Sequence, residues 1–265
     1  MSESIRFVDG AGYERFMGVW SQLVGHRFLD WLAPAPGLRW LDVGCGNGAF
    51  TELVAQRCAP AKLCGIDPSE GQLAFARTRP ALRATDLRLG DARELPFEAD
   101  AFDAAVMPLV IFFVPDPARG VSEMARVVRP GGTVAAYGWD LEGGGFPYHA
   151  LQDELRQLGV ETPQPPCPEA GRLDVMRALW LGAGLVDVEL REIVVQRTFT
   201  DFEDYWNAVR GGPSAGPKLA GMPPETAVRL QRAVQARLPA DATGRITSAA
   251  RAHAVRGRVS RERRG

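Results

Sequence analysis

Lysine is nearly absent from this chain. Only Lys62 and Lys218 occur among 31 basic residues, so almost all positive charge is arginine. That skew fits a GC-rich coding sequence and carries no mechanism. Net charge is missing as well: 31 basic residues against 32 acidic ones leave −1 at pH 7. No global field therefore draws the protein to nucleic acid or to an anionic membrane, and neither is expected as a partner. The cysteines, Cys45, Cys58, Cys64 and Cys167, lack metal-ligand spacing, and no metal site is expected. No apolar run approaches the ~20 residues of a membrane span. The opening MSESIRFVDG lacks a charged-then-apolar leader pattern. A reducing cytoplasm is the expected location. Internal repeats and low-complexity blocks are lacking too.

What is present is an ordinary globular composition, 46% hydrophobic and 24% charged over 265 residues, enough for a sizeable core. The most informative stretch is Leu41-Asp42-Val43-Gly44-Cys45-Gly46-Asn47-Gly48-Ala49-Phe50. An apolar run, Leu38 to Val43, drives into a glycine-rich turn that opens directly into a helical segment. Strand, tight turn and helix N-terminus together bring backbone N–H groups up to a ligand.

The surrounding periodicity alternates strand and helix. Residues 11–33 carry one aromatic stripe, Tyr13, Phe16, Met17, Trp20, Val24, Phe28 and Trp31, at helical steps, ended by Pro34 and Pro36. Strands are expected over 38–43, 62–66, 85–89, 102–109 and 133–139. Helices are expected from 49, 70 and 116, and Arg129-Pro130-Gly131-Gly132 reads as a turn. The continuous apolar run from Phe102 is that of a strand buried on both faces. This order argues for a parallel sheet with helices on both sides. Farther on, helices are expected over 148–158, 173–183, 202–209 and 226–238, with a Gly/Pro-rich linker at 211–224. Residues 186–199 and 246–259 alternate as two long strands paired antiparallel. The arginine-rich end, 256–264, reads as a solvated terminus.

Taken alone, Gly44-x-Gly46-x-x-Ala49 fits a dinucleotide fingerprint, with Asp67 at a distance suited to a ribose. Its neighbours point elsewhere. Asp42 precedes the first glycine, Gly48 extends the spacing to G-x-G-x-G, and a second acidic site follows in Gly90-Asp91-Ala92. A dinucleotide needs a helix N-terminus for its pyrophosphate, whereas a nucleoside joined to an amino acid needs a close glycine turn and carboxylates.

The segments LDVGCGNGAF (41–50), GIDPSEGQL (65–73), GDARELPF (90–97), FDAAVMPLVIFFVPDP (102–117) and RPGGTV (129–134), in this order and spacing, resemble the class I S-adenosylmethionine-dependent methyltransferases. The likeness is to the small-molecule branch that includes the ubiquinone/menaquinone-biosynthesis enzymes. The stretch YERFMGVW (13–20) resembles that branch's N-terminal cap helix. The resemblance implies a Rossmann-like α/β fold with a seven-stranded, mostly parallel sheet. Its strand order would be 3-2-1-4-5-7-6, strand 7 antiparallel, with helices on both faces and a helical cap. It implies one domain over 1–265: a cap helix in 1–36, a cofactor-binding core in 37–140, and a C-terminal part, 141–265, with a helical insertion about 200–243.

It also implies roles. Asp67 would accept hydrogen bonds from both ribose hydroxyls, which suits a carboxylate facing a vicinal diol. Pro68 or Ser69 would pack on the adenine, Asp91 would bond its amino group, and the Ala92 amide a ring nitrogen. Gly44, Gly46 and Gly48 would admit the methionine moiety. Asp42 would bond the glycine-loop amides or the ligand's ammonium. The exit of strand 4, Met107 to Leu109, would turn a backbone carbonyl to that ammonium. Cys45 belongs to the turn and has no partner histidine nearby to make it a nucleophile.

S-adenosylmethionine is thus the implied cofactor, with a small-molecule methyl acceptor. A sulfonium is already an activated methyl donor, so in-line displacement needs chiefly alignment, worth about 7–11 kcal/mol. No general base is required unless the acceptor must lose a proton, and His149 is the one candidate near the expected mouth. The acceptor pocket is expected above the strand C-termini, among Tyr13, Phe16, Met17, Trp20, Trp139, Phe146, His149, Tyr205 and Trp206. Two other readings stay open: a non-catalytic S-adenosylmethionine binder, and a nicotinamide-dependent oxidoreductase using the same glycine turn.

Overall fold

The computed structural model describes residues 14–212 and 215–262. Tyr13 and the first part of the expected cap lie outside these residues. Seven strands form one sheet in the order β3-β2-β1-β4-β5-β7-β6. They are β1 (Arg39–Val43), β2 (Lys62–Asp67), β3 (Asp86–Leu89), β4 (Phe102–Pro108), β5 (Val128–Trp139), β6 (Leu185–Phe199) and β7 (Ile246–Val259). The first five pair in parallel, and β7 runs antiparallel to both β5 and β6.

This order places a switch point at β1. Asp42 pairs with Gly65 of β2 on one side and with Val106 of β4 on the other. The chain leaves β1 toward β2 and returns to its opposite edge as β4, which opens a crevice at the carboxyl ends of both. β1 and β4 are buried on both faces, as their unbroken apolar runs require.

Helices cover both faces. On one, α1 (Val19–Leu32) packs on α2 (Ala49–Arg57) and sets Phe28 against Tyr137 of β5 at 4.8 Å between rings. On the other, α4 (Pro117–Val127) packs against α6 (Leu173–Gly182), whose Trp180 donates to the Val134 carbonyl at 2.9 Å. A Cβ on Gly257 would come within 2.8 Å of that indole, so this β7 position is open only to glycine. Side chains such as Trp20, Phe28, Trp40 and Trp180 are fully buried, and each large apolar group of this kind contributes about 1.5–3 kcal/mol. Between β2 and β3 lies the short α3 (Glu70–Ala76), and α5 (His149–Gln157) follows β5.

The structure departs from the sequence expectation in four places. The start of the cap is not α-helical: Glu14–Gly18 is a π-helical turn leading into α1. Gly18 makes room for it, because a Cβ there would meet the Glu14 carboxylate at 2.6 Å. Arg129-Pro130-Gly131-Gly132 is not a separate turn. β5 begins at Val128, opposite Phe102, and carries these residues as an irregularity in its pairing with β4. The stretch 211–224 contains a further short helix. Between β6 and β7 the chain forms α7 (Phe202–Arg210), α8 (Gly216–Ala220) and α9 (Pro224–Ala236). The arginines of the C-terminal run are not all solvated. Arg256 lies over the Trp31 ring at 4.8 Å and pairs with Glu189 at 2.9 Å, joining β7 to α1 and β6.

Candidate functional site

The glycine turn is held from below by β2. The amides of Gly44 and Cys45 both donate to the Ile66 carbonyl, at 2.7 and 3.0 Å. One residue on, Asp67 closes the arrangement. Its Oδ2 accepts from the Gly46 amide at 2.9 Å and its Oδ1 from the Ser69 amide at 2.8 Å. The helix cap that follows belongs to Ser69, whose Oγ accepts from the Gln72 amide. Burial raises the Asp67 carboxyl above its ordinary range, and the two amides oppose that rise.

The three glycines divide by what surrounds them. A Cβ on Gly44 would meet the Val110 side chain at 2.5 Å, and one on Gly48 would meet Leu82 at 2.6 Å. Those two positions are required by the protein's own packing. Only Gly46, at φ +53°, faces space, with the Gln72 amide oxygen 3.9 Å away as the nearest atom to an added Cβ. Close approach of a ligand to the turn is therefore open at Gly46, not at all three.

Asp42 does not bond the loop amides, since Asp67 takes that of Gly46. Its Oδ2 accepts from Thr51 Oγ1 at 2.7 Å, and its Oδ1 has no partner among the described residues. Complete burial, with the Asp67 charge adding to it, pushes its pKa up to about 7, against the Thr51 hydrogen bond. Cys45 is buried, and its thiol is pushed well up by that burial and by Asp42 and Asp67. A thiol held protonated is a packing group, not a nucleophile.

Asp91 stands at the same edge as Asp67. The Gly90 amide bonds the Asp67 carbonyl at 3.1 Å, so the loop after β3 is tied to the end of β2. The Asp91 carboxylate is paired with Arg93 at 2.7 Å, and that arginine holds it below the usual carboxylate range. Pro68 is exposed beside it. Across the crevice, the Met107 side chain is fully buried and converges with Ala92 on Gly120 of α4. Leu109 takes the left-handed conformation, φ +61°, and its amide donates to Tyr137 at 2.7 Å. A β-turn-like kink on a non-glycine residue at this exit is a strained geometry of the kind found at binding sites.

Two features of this edge had only faint sequence signals. Gln72, one turn into α3, is 2% exposed, and both its amide atoms lack partners among the described residues. A buried carboxamide left unbonded beside the open side of Gly46 can donate to and accept from a ligand. Arg79 ties the turn to the cap: it donates to the Asn47 carbonyl at 2.7 Å, to Glu52 at 2.6 Å and to Glu14 at 2.5 Å. Asn47 donates to the same Glu14 carboxylate at 2.7 Å.

Of the expected acceptor residues, Phe16, Trp20, Phe146, Tyr205 and Trp206 fall into one aromatic body. Phe16 stacks on Tyr148 at 4.7 Å and lies 6.4 Å from Phe146. Trp20 Nε1 donates to the Tyr148 hydroxyl at 3.1 Å, which donates in turn to the Phe16 carbonyl at 2.7 Å. Tyr205 joins through Tyr148 and Phe199, and Trp206 through Phe202. Phe16, Met17, Trp20, Trp139 and Tyr205 are buried, so they form walls rather than an exposed surface. Phe146, His149 and Trp206 are half-buried. Tyr148, Phe199 and Phe202 were not among the expected pocket residues; Tyr148 meets Phe16 and Tyr205 from distant parts of the chain, whereas Phe199 and Phe202 touch Tyr205 from nearby in the sequence. His149 Nδ1 lies 3.2 Å from the Phe146 carbonyl. A carbonyl only accepts, so in this contact Nδ1 is the donor. His253 bonds the Gly171 carbonyl at 2.9 Å, away from this body.

Residues 41–136 match the family model described as a methyltransferase domain. Over 101 residues the chain is 41% identical to the 2-methyl-6-phytyl-1,4-hydroquinone methyltransferase 2 of Oryza sativa subsp. japonica, covering 38% of this chain and 29% of that one. It is 41% identical over 102 residues to the demethylmenaquinone methyltransferase of Symbiobacterium thermophilum, covering 37% of this chain and 41% of that one. The chain thus spans well under half the length of these curated relatives. Among solved structures it resembles the Haemonchus contortus phosphoethanolamine N-methyltransferase 2 in complex with S-adenosyl-L-methionine. That likeness has a TM-score of 0.60 at 19% identity, covers 94% of this chain and 56% of the other, and concerns the fold.

Proposed function

We propose that this chain, whose residues 41–136 match the methyltransferase-domain family model, is a class I methyltransferase that transfers a methyl group from S-adenosylmethionine to a small organic acceptor. The observation that carries this reading is the pairing of Asp67 with Gly46. A buried carboxylate, already bonded to the turn amide, stands at the end of β2 beside the one glycine that opens to space. Each carboxylate oxygen holds one amide and retains a second lone pair, enough to accept from two adjacent ribose hydroxyls.

The other residues fit the same ligand. Gln72 offers an unbonded carboxamide over the open turn, and Asp42 an unbonded carboxylate oxygen beneath it. Pro68 presents an exposed ring for stacking against a base, and Asp91 with Ala92 would meet the base's edge. Asp91 must then share its carboxylate with Arg93, which already holds it. The Leu109 kink would turn a carbonyl of the β4 exit toward an ammonium.

When bound, the sulfonium supplies an activated methyl group. The chain's own task is to align the acceptor with it and to keep water out, a contribution of about 7–11 kcal/mol when the geometry is good. The buried aromatic walls at Phe16, Trp20, Tyr148 and Tyr205 suit that task. Where the acceptor must lose a proton, His149, oriented by its Nδ1 contact with the Phe146 carbonyl, is the candidate base.

Calorimetry with S-adenosylhomocysteine and with NADH tests this reading. The expected result is saturable binding of the first and none of the second. NADH binding with no response to S-adenosylhomocysteine would replace it with a nicotinamide enzyme. Cofactor binding without methyl transfer from labelled S-adenosylmethionine to any component of a cell extract would leave a binder only.

A further inference from the structure

The cap touches both halves of the site through residues that stand two apart in the sequence. Glu14 opens the π-helical turn, and its Oε2 accepts from Asn47 Nδ2 at 2.7 Å and from Arg79 Nη2 at 2.5 Å. Asn47 belongs to the glycine turn itself, between Gly46 and Gly48, and is 1% exposed. Its carbonyl accepts from Arg79 Nε at 2.7 Å, and its Oδ1 accepts from the Ala49 amide at 3.2 Å. The Glu14 carboxylate is thus bonded to the turn and to the arginine that braces the turn.

Phe16, in the same π-helical turn, is held by the other half. Its ring stacks on Tyr148 at 4.7 Å with 22° between planes, and its carbonyl accepts from the Tyr148 hydroxyl at 2.7 Å. Gly212 lies against that ring as well, where a Cβ would come within 2.7 Å of it. The Tyr148 hydroxyl in turn accepts from Trp20 Nε1 of α1 at 3.1 Å. π-Helical turns are rare and occur frequently at functional sites.

Two residues span at most about 7 Å of backbone. The carboxylate fixed on the glycine turn and the ring fixed on Tyr148 therefore do not move independently. A displacement of Asn47 reaches Phe16, and through Tyr148 reaches Trp20, along one unbroken series of hydrogen bonds and packed groups. Gly46, the open position of the turn, adjoins Asn47, so a ligand seated there lies beside the first member of that series. Each half keeps its own bonds when the link is cut: Arg79 retains Glu52 at 2.6 Å, and Phe16 retains Tyr148. The link therefore transmits position and leaves affinity alone.

We propose that Glu14 is a positioning residue for methyl transfer. It fixes the π-helical turn to the cofactor turn and so sets the distance between the bound methyl group and the Phe16 wall that meets the acceptor. The role in transfer rests on the methyl-transfer reading; the mechanical link between glycine turn and rings does not.

The indole N–H resonance of Trp20 in the proton–nitrogen NMR spectrum of the full chain reports the link, and Trp20→Phe identifies it among the six tryptophans. Without ligand, Asn47→Asp keeps the oxygen that accepts from the Ala49 amide and sets a like charge against Glu14. It should move the Trp20 resonance in the wild-type background, and by about a third as much or less in the Glu14→Ala background. Saturation with S-adenosylhomocysteine should likewise move the resonance in the wild type and not in Glu14→Ala, whose affinity by calorimetry stays within about two-fold. At saturating labelled S-adenosylmethionine, transfer to components of a cell extract should fall about ten-fold or more in Glu14→Ala with the cofactor KM unchanged. Glu14→Gln, which keeps an acceptor for Asn47, should recover part of that loss. A Trp20 resonance that stays put on either change in the wild type, one that moves equally with and without Glu14, or transfer undiminished in Glu14→Ala would each overturn the proposal. Should Glu14→Ala not fold, Glu14→Gln replaces it, and an undiminished Trp20 response there overturns the link. Failure of S-adenosylhomocysteine to bind, or no transfer by the wild type, would strike the methyl-transfer reading, while the Asn47→Asp comparison still decides the link.

Discussion

The two halves of the site edge are built on different principles. At β1, β2 and β4 the backbone does the work: a turn held by the Ile66 carbonyl, an amide capped by Asp67, a kink at Leu109. At β5, β6 and β7 side chains do it. Rings from α1, α5, α7 and β6 pack into one body, with only a few hydrogen bonds such as Trp20 to Tyr148 inside it. A backbone-built half can accept only a ligand of fixed shape. A half built from interchangeable rings can be refitted to many acceptors while the cofactor side stays the same. That contrast also explains where polar groups are left unbonded. Gln72 and Asp42 on the first side and Tyr205 on the second keep buried polar atoms without a hydrogen-bond partner among the described residues.

If the halves are separable, damage to one should spare the other. Trp20→Ala should have the largest effect, because it removes a fully buried indole and the hydrogen bond it donates to the Tyr148 hydroxyl. The expected loss is about 3–5 kcal/mol of stability, read by denaturant unfolding. S-adenosylhomocysteine affinity in the remaining folded protein should hold; a parallel loss would show that the ring body also shapes the cofactor turn.

Asp67→Ala should do the reverse. It removes the carboxylate from the open turn and should cost about 2–4 kcal/mol of cofactor affinity, measured by calorimetry. Unchanged affinity in a folded protein would contradict the ribose role.

Asp42 gives the finest test. Its pKa is raised by burial from 3.8 to about 7. The folded protein therefore holds a proton that the unfolded chain releases, and stability falls as pH rises through this window. Asp42→Asn lacks the titration. The variant should gain on wild type between about pH 4 and pH 7, by up to roughly 4 kcal/mol at the upper end. Melting temperatures of both proteins at several pH values check it. A constant difference would mean that Asp42 is ionised throughout and has a partner.

The legible parts of the fold were those with strong local causes. β1, β2 and β4 could be read from apolar runs, the helix starts at Ser69 and Asp116 from capping residues, and the antiparallel pair β6–β7 from its alternation. The π-helical turn at Glu14–Gly18 was not legible, because it depends on Asn47 and Arg79 holding Glu14 from distant segments. Nor was the extension of β5 to Val128, since Pro-Gly-Gly marks a turn locally and only pairing with Phe102 makes it part of a strand. In the site, Asp67 and the turn stood out by residue type and spacing. Gln72 looked like any polar residue in the first turn of a helix, and it becomes notable only when its burial is known and its partners are counted.

By itself, then, the sequence determined the kind of fold and marked out the glycine turn with Asp67 beside it. Glycines, capping residues and apolar period act over a few residues, and neighbours in sequence are enough to express them. The tertiary structure decided which glycine of the turn is open, which carboxylate holds the turn, and which rings meet in the aromatic body. Those are outcomes of burial and of contacts between distant segments, and no short-range pattern encodes them.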